Sequence, residues 1–253
     1  MSMKKGTPPS RVRVVFTVNG RPVEVEARVP DRPARLDELL PALRAMDDRL
    51  IGAAVAQSEA AGERVSCAKG CSACCRTQPV PVTPPEAFAL ARLVEALPEP
   101  RRTAVRSAFA AAVERLRAAD LYDVYMRRDP ATTREAALAT VRRYMSLALA
   151  CPFLVDESCG IYPDRPFVCR QYLVTSPPDL CVAPLDNPVR PVRAPAAFAS
   201  AMLQAGETLT GRAQYSVPLV LALEHAEANR TELAKVRDAK AAFAEVMRGL
   251  KDA

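Results

Sequence analysis

Four thiols fall within nine residues of this chain, at Cys67, Cys71, Cys74 and Cys75, and four more follow at Cys151, Cys159, Cys169 and Cys181. Thiolates packed this closely repel one another, and a coordinated cation removes that cost. Gly70, inside the first group, lets the backbone curl around a centre. The competing reading is burial as neutral thiols, since free cysteine is among the most buried residue types. Four thiols at such spacing favour the metal. Zinc takes four ligands in a tetrahedron and iron–sulfur clusters also use four thiolates, so eight thiols suffice for two closed sites, and spacing does not choose between zinc and iron.

The surroundings of the second group suit the same chemistry. Pro152, Pro163 and Pro166 restrict the loop and lower the entropy of its unligated form, while Arg165 and Arg170 can donate towards thiolates. An equally good reading pairs these arginines with Asp156, Asp164 or helix C-termini. Tyr162 and Tyr172 read as packing residues. The single histidine, His225, lies in an amphipathic helical pattern and reads as structural or exposed, which disfavours a histidine-rich hydrolytic zinc centre. The chain carries no glycine-rich phosphate loop, dinucleotide fingerprint or nucleophile elbow. Cys67-x3-Cys71-x2-Cys74 reproduces the three-cysteine spacing of radical S-adenosylmethionine enzymes, but those resemble β/α barrels, and here helix follows helix.

Taken together, Cys67 to Cys75, Cys151-Pro152-Phe153-Leu154, and the run from Cys159 through Tyr162-Pro163-Asp164-Arg165-Pro166 to Cys169-Arg170-Gln171-Tyr172 resemble the YkgJ family of cysteine cluster proteins, also called the CxxCxxCC family. The likeness covers about Cys67 to Cys181 and departs from the family pattern in the three-residue gap between Cys67 and Cys71. It implies a zinc- or iron-chelating domain without an agreed reaction. A related cluster in flagellin lysine N-methylases extends the implication, by analogy alone, to a protein-modifying role, and an iron–sulfur cluster would add a redox role. The metal ligands expected are Cys67, Cys71, Cys74, Cys75, Cys151, Cys159, Cys169 and Cys181, the last being the least secure. The cofactor expected is an iron–sulfur cluster or zinc, and the alternative to a redox protein is a structural-zinc or metal-handling module without catalysis.

Two stretches so far apart must be brought together by the rest of the chain. Val12, Val14, Phe16 and Val18 alternate, Asn19-Gly20 follows, and Val23, Val25, Ala27 and Val29 alternate again, which predicts a β-hairpin whose apolar face packs on helices. Leu36, Leu39, Leu43, Met46, Leu50 and Val55 predict a helix that begins or kinks near Pro41 and ends at Gly62. Thr83-Pro84-Pro85-Glu86 predicts a capped helix start. Further helices are expected after Pro100 (Val105, Phe109, Val113, Leu116), then through Leu138, Val141, Met145 and Ala148 up to Cys151, from Ala196 to Gly206, and from Val217 to near Leu250 with Leu233, Val236, Phe243 and Met247. Between Cys151 and Pro195 the prolines and the loss of periodicity predict an ordered loop region.

The fold expected is therefore mainly α: a helical scaffold with an N-terminal β-hairpin and two cysteine-rich loops forming a metal site. Its divisions are residues 1–62 (hairpin and helix), 63–185 (cysteine-cluster domain) and 186–253 (C-terminal helices on the same core). At 253 residues and 49% hydrophobic content the chain can build a core without metal. No apolar run approaches the roughly 18 residues of a membrane span, and none follows the first lysines, so a cytoplasmic location is expected, where thiols stay reduced. The net charge of +6 comes from arginines dispersed among acids, and with no tryptophan and 5% aromatics the chain lacks a base-stacking surface, so nucleic acid is disfavoured as a partner. The partners expected are a metal ion and a protein partner or substrate.

Overall fold

The computed structural model describes residues 8–127, 129 and 131–251. The chain opens with the hairpin of β1 (Ser10–Val18) and β2 (Arg21–Val29), paired antiparallel with Val18 opposite Arg21. Asn19 and Gly20 both take positive φ, 47° and 77°, as a two-residue turn matched to strand twist requires. Val18, Val25, Ala27 and Val29 are buried, while Val15 on the opposite face is 63% exposed. The buried face lies on α1 (Leu40–Ala60), which follows a short 3-10 turn at Leu36–Leu39 and carries Pro41 in its first turn, where proline costs no hydrogen bond. Gly62, at φ 85°, follows its end.

Between the two cysteine stretches run α2 (Pro84–Ala96), α3 (Arg101–Ala118), α4 (Tyr122–Met126) and α5 (Arg134–Ser146). Thr83 and Glu86 form the expected reciprocal cap of α2. Val105, Phe109, Val113 and Leu116 are buried along α3 as their spacing predicts. The sequence gives no signal for α4. Helix α5 forms as expected but stops at Ser146, short of Cys151, and of its residues only Tyr144 is buried; Leu138 is 41% exposed. A periodic apolar stripe shows that a helix can be covered, and here the cover is partial: Val141 and Met145 are half-buried while Leu138 and Ala148 are exposed.

After the second cysteine stretch, with its short α6 (Phe167–Gln171), the chain forms α7 (Phe198–Thr210), α8 (Ala222–Ala228), α9 (Arg230–Leu233) and α10 (Ala239–Lys251). The single helix expected from Val217 to Leu250 is thus split. Val217-Pro218 pairs with Pro81-Val82 as strand, Asn229 separates α8 from α9, and Arg237-Asp238 pairs with Pro33-Ala34. Proline removes a helical donor, and the backbone groups at both breaks are satisfied by strand partners far away in sequence. Val236 sits in the second break, exposed.

Two apolar cores result. One joins the hairpin, α1, α7 and α10; the other joins α2, α3, Leu121, Tyr144 and Leu219–Ala222. The chain is mainly helical, and its described strands form two-stranded ribbons, so no barrel of the radical S-adenosylmethionine kind exists among the described residues. No described helix is long and apolar enough to cross a membrane.

Candidate metal centre

The first cysteine loop is a series of tight turns. Cys71 N–H donates to Ala68 O (3.0 Å) around Gly70, whose φ of 91° suits glycine, and Cys74–Arg76 forms a 3-10 turn. The second stretch is bound directly to it: Cys151 N–H donates to Cys75 O at 2.7 Å. From there Leu154 N–H returns to Cys151 O, and Leu154-Val155 pairs with Ser158-Cys159 in a small hairpin. Its turn residues Asp156 and Glu157 both take positive φ. Glu157 accepts from Ser72 Oγ and from the Arg76 guanidinium, a second tie between the loops.

Cys169 lies on α6, which is held from two sides. Glu86 of α2, fully buried, accepts from Thr83 N–H (2.9 Å) and Thr83 Oγ1 (2.8 Å) with one oxygen and from Phe167 N–H (2.7 Å) with the other. From α1, Asp47 Oδ1 accepts from Gln171 Nε2 (2.8 Å) and Asp48 pairs with Arg170. Cys181 sits in a 3-10 turn (Pro178–Val182) fixed to the first loop: Gln78 Nε2 donates to Cys181 O (2.8 Å) and Thr77 Oγ1 to Val182 O (3.0 Å). Ser66 N–H, beside Cys67, donates to Val174 O (2.8 Å). The fold thus brings the two cysteine stretches next to each other through side-chain bonds between residues 81 to 124 apart in sequence.

All eight cysteines are free of disulfides; Cys181 is buried and the others are partly covered. Burial pushes the Cys151 thiol up to about 12, reinforced by Cys75 and Cys159, and pushes Cys169 well above the usual thiol range, reinforced by Cys151, Cys75, Cys159 and Glu86. Burial also raises Cys67, Cys159 and Cys181. Cys74 donates its S–H to Cys75, which raises the first and lowers the second. Low dielectric and like charge favour the neutral thiol at the raised positions, a cost that a coordinating cation would offset.

The two arginines, equivalent in sequence, part company. Arg170 is bound to Asp48, not to Asp156 or Asp164, and to Arg165 O and Pro163 O, a structural role, while its charge also favours the Cys159 thiolate. Arg165 lies over the Tyr162 ring at 3.8 Å, its buried Nε has no hydrogen-bond partner, and its charge favours the thiolates of Cys67, Cys75 and Cys159. Tyr162 is 61% exposed, so it serves as a platform for Arg165 and does not pack in a core. Tyr172 is half-buried, bonded to Gln78 and Cys181. His225 is buried against Tyr215, far in sequence from every cysteine, and its structural reading holds.

As they stand, no three Cys, His, Asp or Glu side chains among the described residues are drawn tightly enough to hold an ion. The donor chemistry nevertheless fits a thiophilic metal: sulfur predominates, the backbone around each cysteine is fixed by long-range bonds, and a cysteine side chain needs one torsion to draw its sulfur inward.

A family model described as "CxxCxxCC: Putative zinc- or iron-chelating domain" matches residues 66–184. No curated protein and no solved structure matches the chain. The matched segment begins one residue before Cys67, ends three after Cys181 and so contains all eight thiols. Residues 66–184 of the chain are thus similar to the CxxCxxCC domain, the segment that holds every cysteine.

Proposed function

We propose that this protein is a metal-binding cysteine-cluster protein, holding zinc or an iron–sulfur cluster through thiolates contributed by both cysteine stretches. The observation that carries this reading is the 2.7 Å bond from Cys151 N–H to Cys75 O, which brings a second set of thiols to a first one 76 residues away. Without a metal, the loop region would bury several thiols whose mutual influence disfavours their charged forms and gain little in return; a cation converts that arrangement into a stabilising one. Cys67, Cys71, Cys74, Cys75, Cys151, Cys159, Cys169 and Cys181 are the proposed donors.

A bound iron–sulfur cluster would supply redox chemistry, with a protein as the substrate of any modification; bound zinc would make the protein a structural or metal-handling module without catalysis. Anaerobic purification followed by metal and acid-labile sulfide analysis tests the proposal. Brown protein with iron and sulfide gives the cluster form and colourless protein with stoichiometric zinc gives the module. Protein that carries neither, takes up neither on reconstitution, and whose thiols react independently overturns metal binding.

A further inference from the structure

We propose that the cleft between α1, α2 and the Tyr162–Asp164 turn binds a small organic carboxylate on the Nε/Nη2 edge of Arg44, at a site whose lining contains no cysteine. Arg44 of α1 is 7% exposed. Among the described residues its side chain makes one hydrogen bond, from Nη1 to Asp164 Oδ1 at 3.2 Å, and its buried Nε and Nη2 find no partner. Glu86 does not supply one, since both its oxygens are taken by Thr83 and Phe167. Burial works against the charge on Arg44, and Glu86 is the first group to offset it, without a bond between them. A guanidinium does not escape this cost by losing its proton, and a buried charged donor left unpaired is among the more destabilising features a fold can carry.

The two free nitrogens are not a random pair. Nε–H and the outer N–H of Nη2 lie along one edge of the guanidinium plane, parallel and spaced to meet both oxygens of a carboxylate. Arg44 lines a cleft of about 300 Å3, at the small end of the sizes that small-molecule sites occupy. Ala89, Leu90 and Leu93 of α2 give this cleft an apolar wall.

Its charged lining selects among anions. Asp37, Arg92 and Asp164 complete the set, and each aspartate is already paired, Asp37 with Arg35 and Arg92, Asp164 with Arg44 Nη1. A phosphate, with up to about two negative charges, would face both carboxylates with one free edge to receive it. A carboxylate carries a single charge, uses that edge in full and lays its hydrocarbon part on the apolar wall. The edge is covered as the chain stands. Its tether, however, is one contact with a carboxylate whose side chain is 51% exposed, so turning the outer torsions of Arg44 carries the edge into the cleft at small cost.

Hexanoate is the probe, titrated into the full chain. Ligand-observed saturation-transfer NMR gives affinity, and the N–H resonance of Arg44 Nε gives location. The result expected is saturable binding with a Kd of about 1 mM or tighter that moves the Arg44 resonance, while hexanol and inorganic phosphate leave it in place. Arg44→Lys keeps the charge and loses the fork, and should weaken hexanoate at least about tenfold. Leu93→Trp fills the apolar wall and spares the guanidinium, so it should weaken hexanoate as well and decides the matter if the lysine variant does not fold. Absence of hexanoate binding, equal binding of hexanol, an affinity unchanged in the folded variants, or an Arg44 Nε–H that exchanges with ordered water and ignores hexanoate would overturn the proposal. None of these readouts depends on metal content, so the metal-binding reading stands or falls apart from them.

Discussion

Replacing Glu86 tests how the scaffold fixes the cysteine region. Its carboxylate is fully buried and takes three donors, two from Thr83 and one from Phe167 N–H at 2.7 Å, two residues before Cys169. Glu86→Ala strands two buried backbone N–H groups, at about 1–3 kcal/mol each. Release of a buried carboxyl, whose burial already raises its pKa, returns part of that loss. A net destabilisation of about 3 kcal/mol remains, which for a domain of this size lowers the melting temperature by roughly 6–12 °C. Glu86→Gln retains one acceptor oxygen and turns an amide donor towards the other set of donors, so it falls between alanine and the parent. Thermal melts followed by circular dichroism give the stability, and amide hydrogen exchange at Phe167 gives the location. The reasoning is refuted if Glu86→Ala melts within about 2 °C of the parent, or if the Phe167 amide keeps its protection.

Burial raises the Asp47 carboxyl to about 7, with Asp48 and Glu86 reinforcing the rise and Gln171 and Arg170 opposing it. Because the folded state holds this proton more tightly than the unfolded one, its contribution is complete below about pH 4 and is lost as pH rises to about 7; the full span is on the order of 4 kcal/mol, and Asp47→Asn should flatten that slope in denaturant titrations across the window. Gly160→Ala places a methyl 2.9 Å from Phe153 O and 3.0 Å from the Arg101 guanidinium, so it should cost about 1–3 kcal/mol and weaken zinc in competition with a chelator, a result that an unaffected zinc affinity would contradict. Stripping metal should expose residues 151–185 to limited proteolysis before α2 and α3, whose core needs no ligand, and simultaneous cleavage of both would count against a metal-held loop.

Legibility in the sequence followed the range of the interactions. The hairpin was legible because Asn19-Gly20 and the alternation on either side act within a few residues, and the cap of α2 because Thr83 and Glu86 are three apart. The cysteines were legible as chemistry for the same reason. What brings them together was not: Cys151 to Cys75, Glu157 to Ser72 and Arg76, and Asp47 to Gln171 link residues that announce nothing locally. Glu86 was half legible, its capping oxygen evident and its bond to Phe167 hidden. Periodicity also persisted where helix did not, across Pro218, Asn229 and Asp238, since apolar spacing records which residues can be buried and not which backbone groups find strand partners. The apolar positions of α5 are covered only in part, Leu138 lying exposed, because amphipathicity implies no neighbour.

The short stretch from Phe153 to Phe167 ends in a different core at each side. Phe153 meets Phe109 edge-on at a centroid distance of 5.4 Å in the core around α2 and α3, while Phe167 stacks on Phe198 at 5.4 Å in the core of the hairpin, α1 and α7. It is a strap buckled into both halves of the molecule, with Cys159 on its length and Cys169 just past its far end. Whatever grips those sulfurs tensions the strap, so the loaded protein should melt in one step and the stripped protein in two, each half letting go on its own.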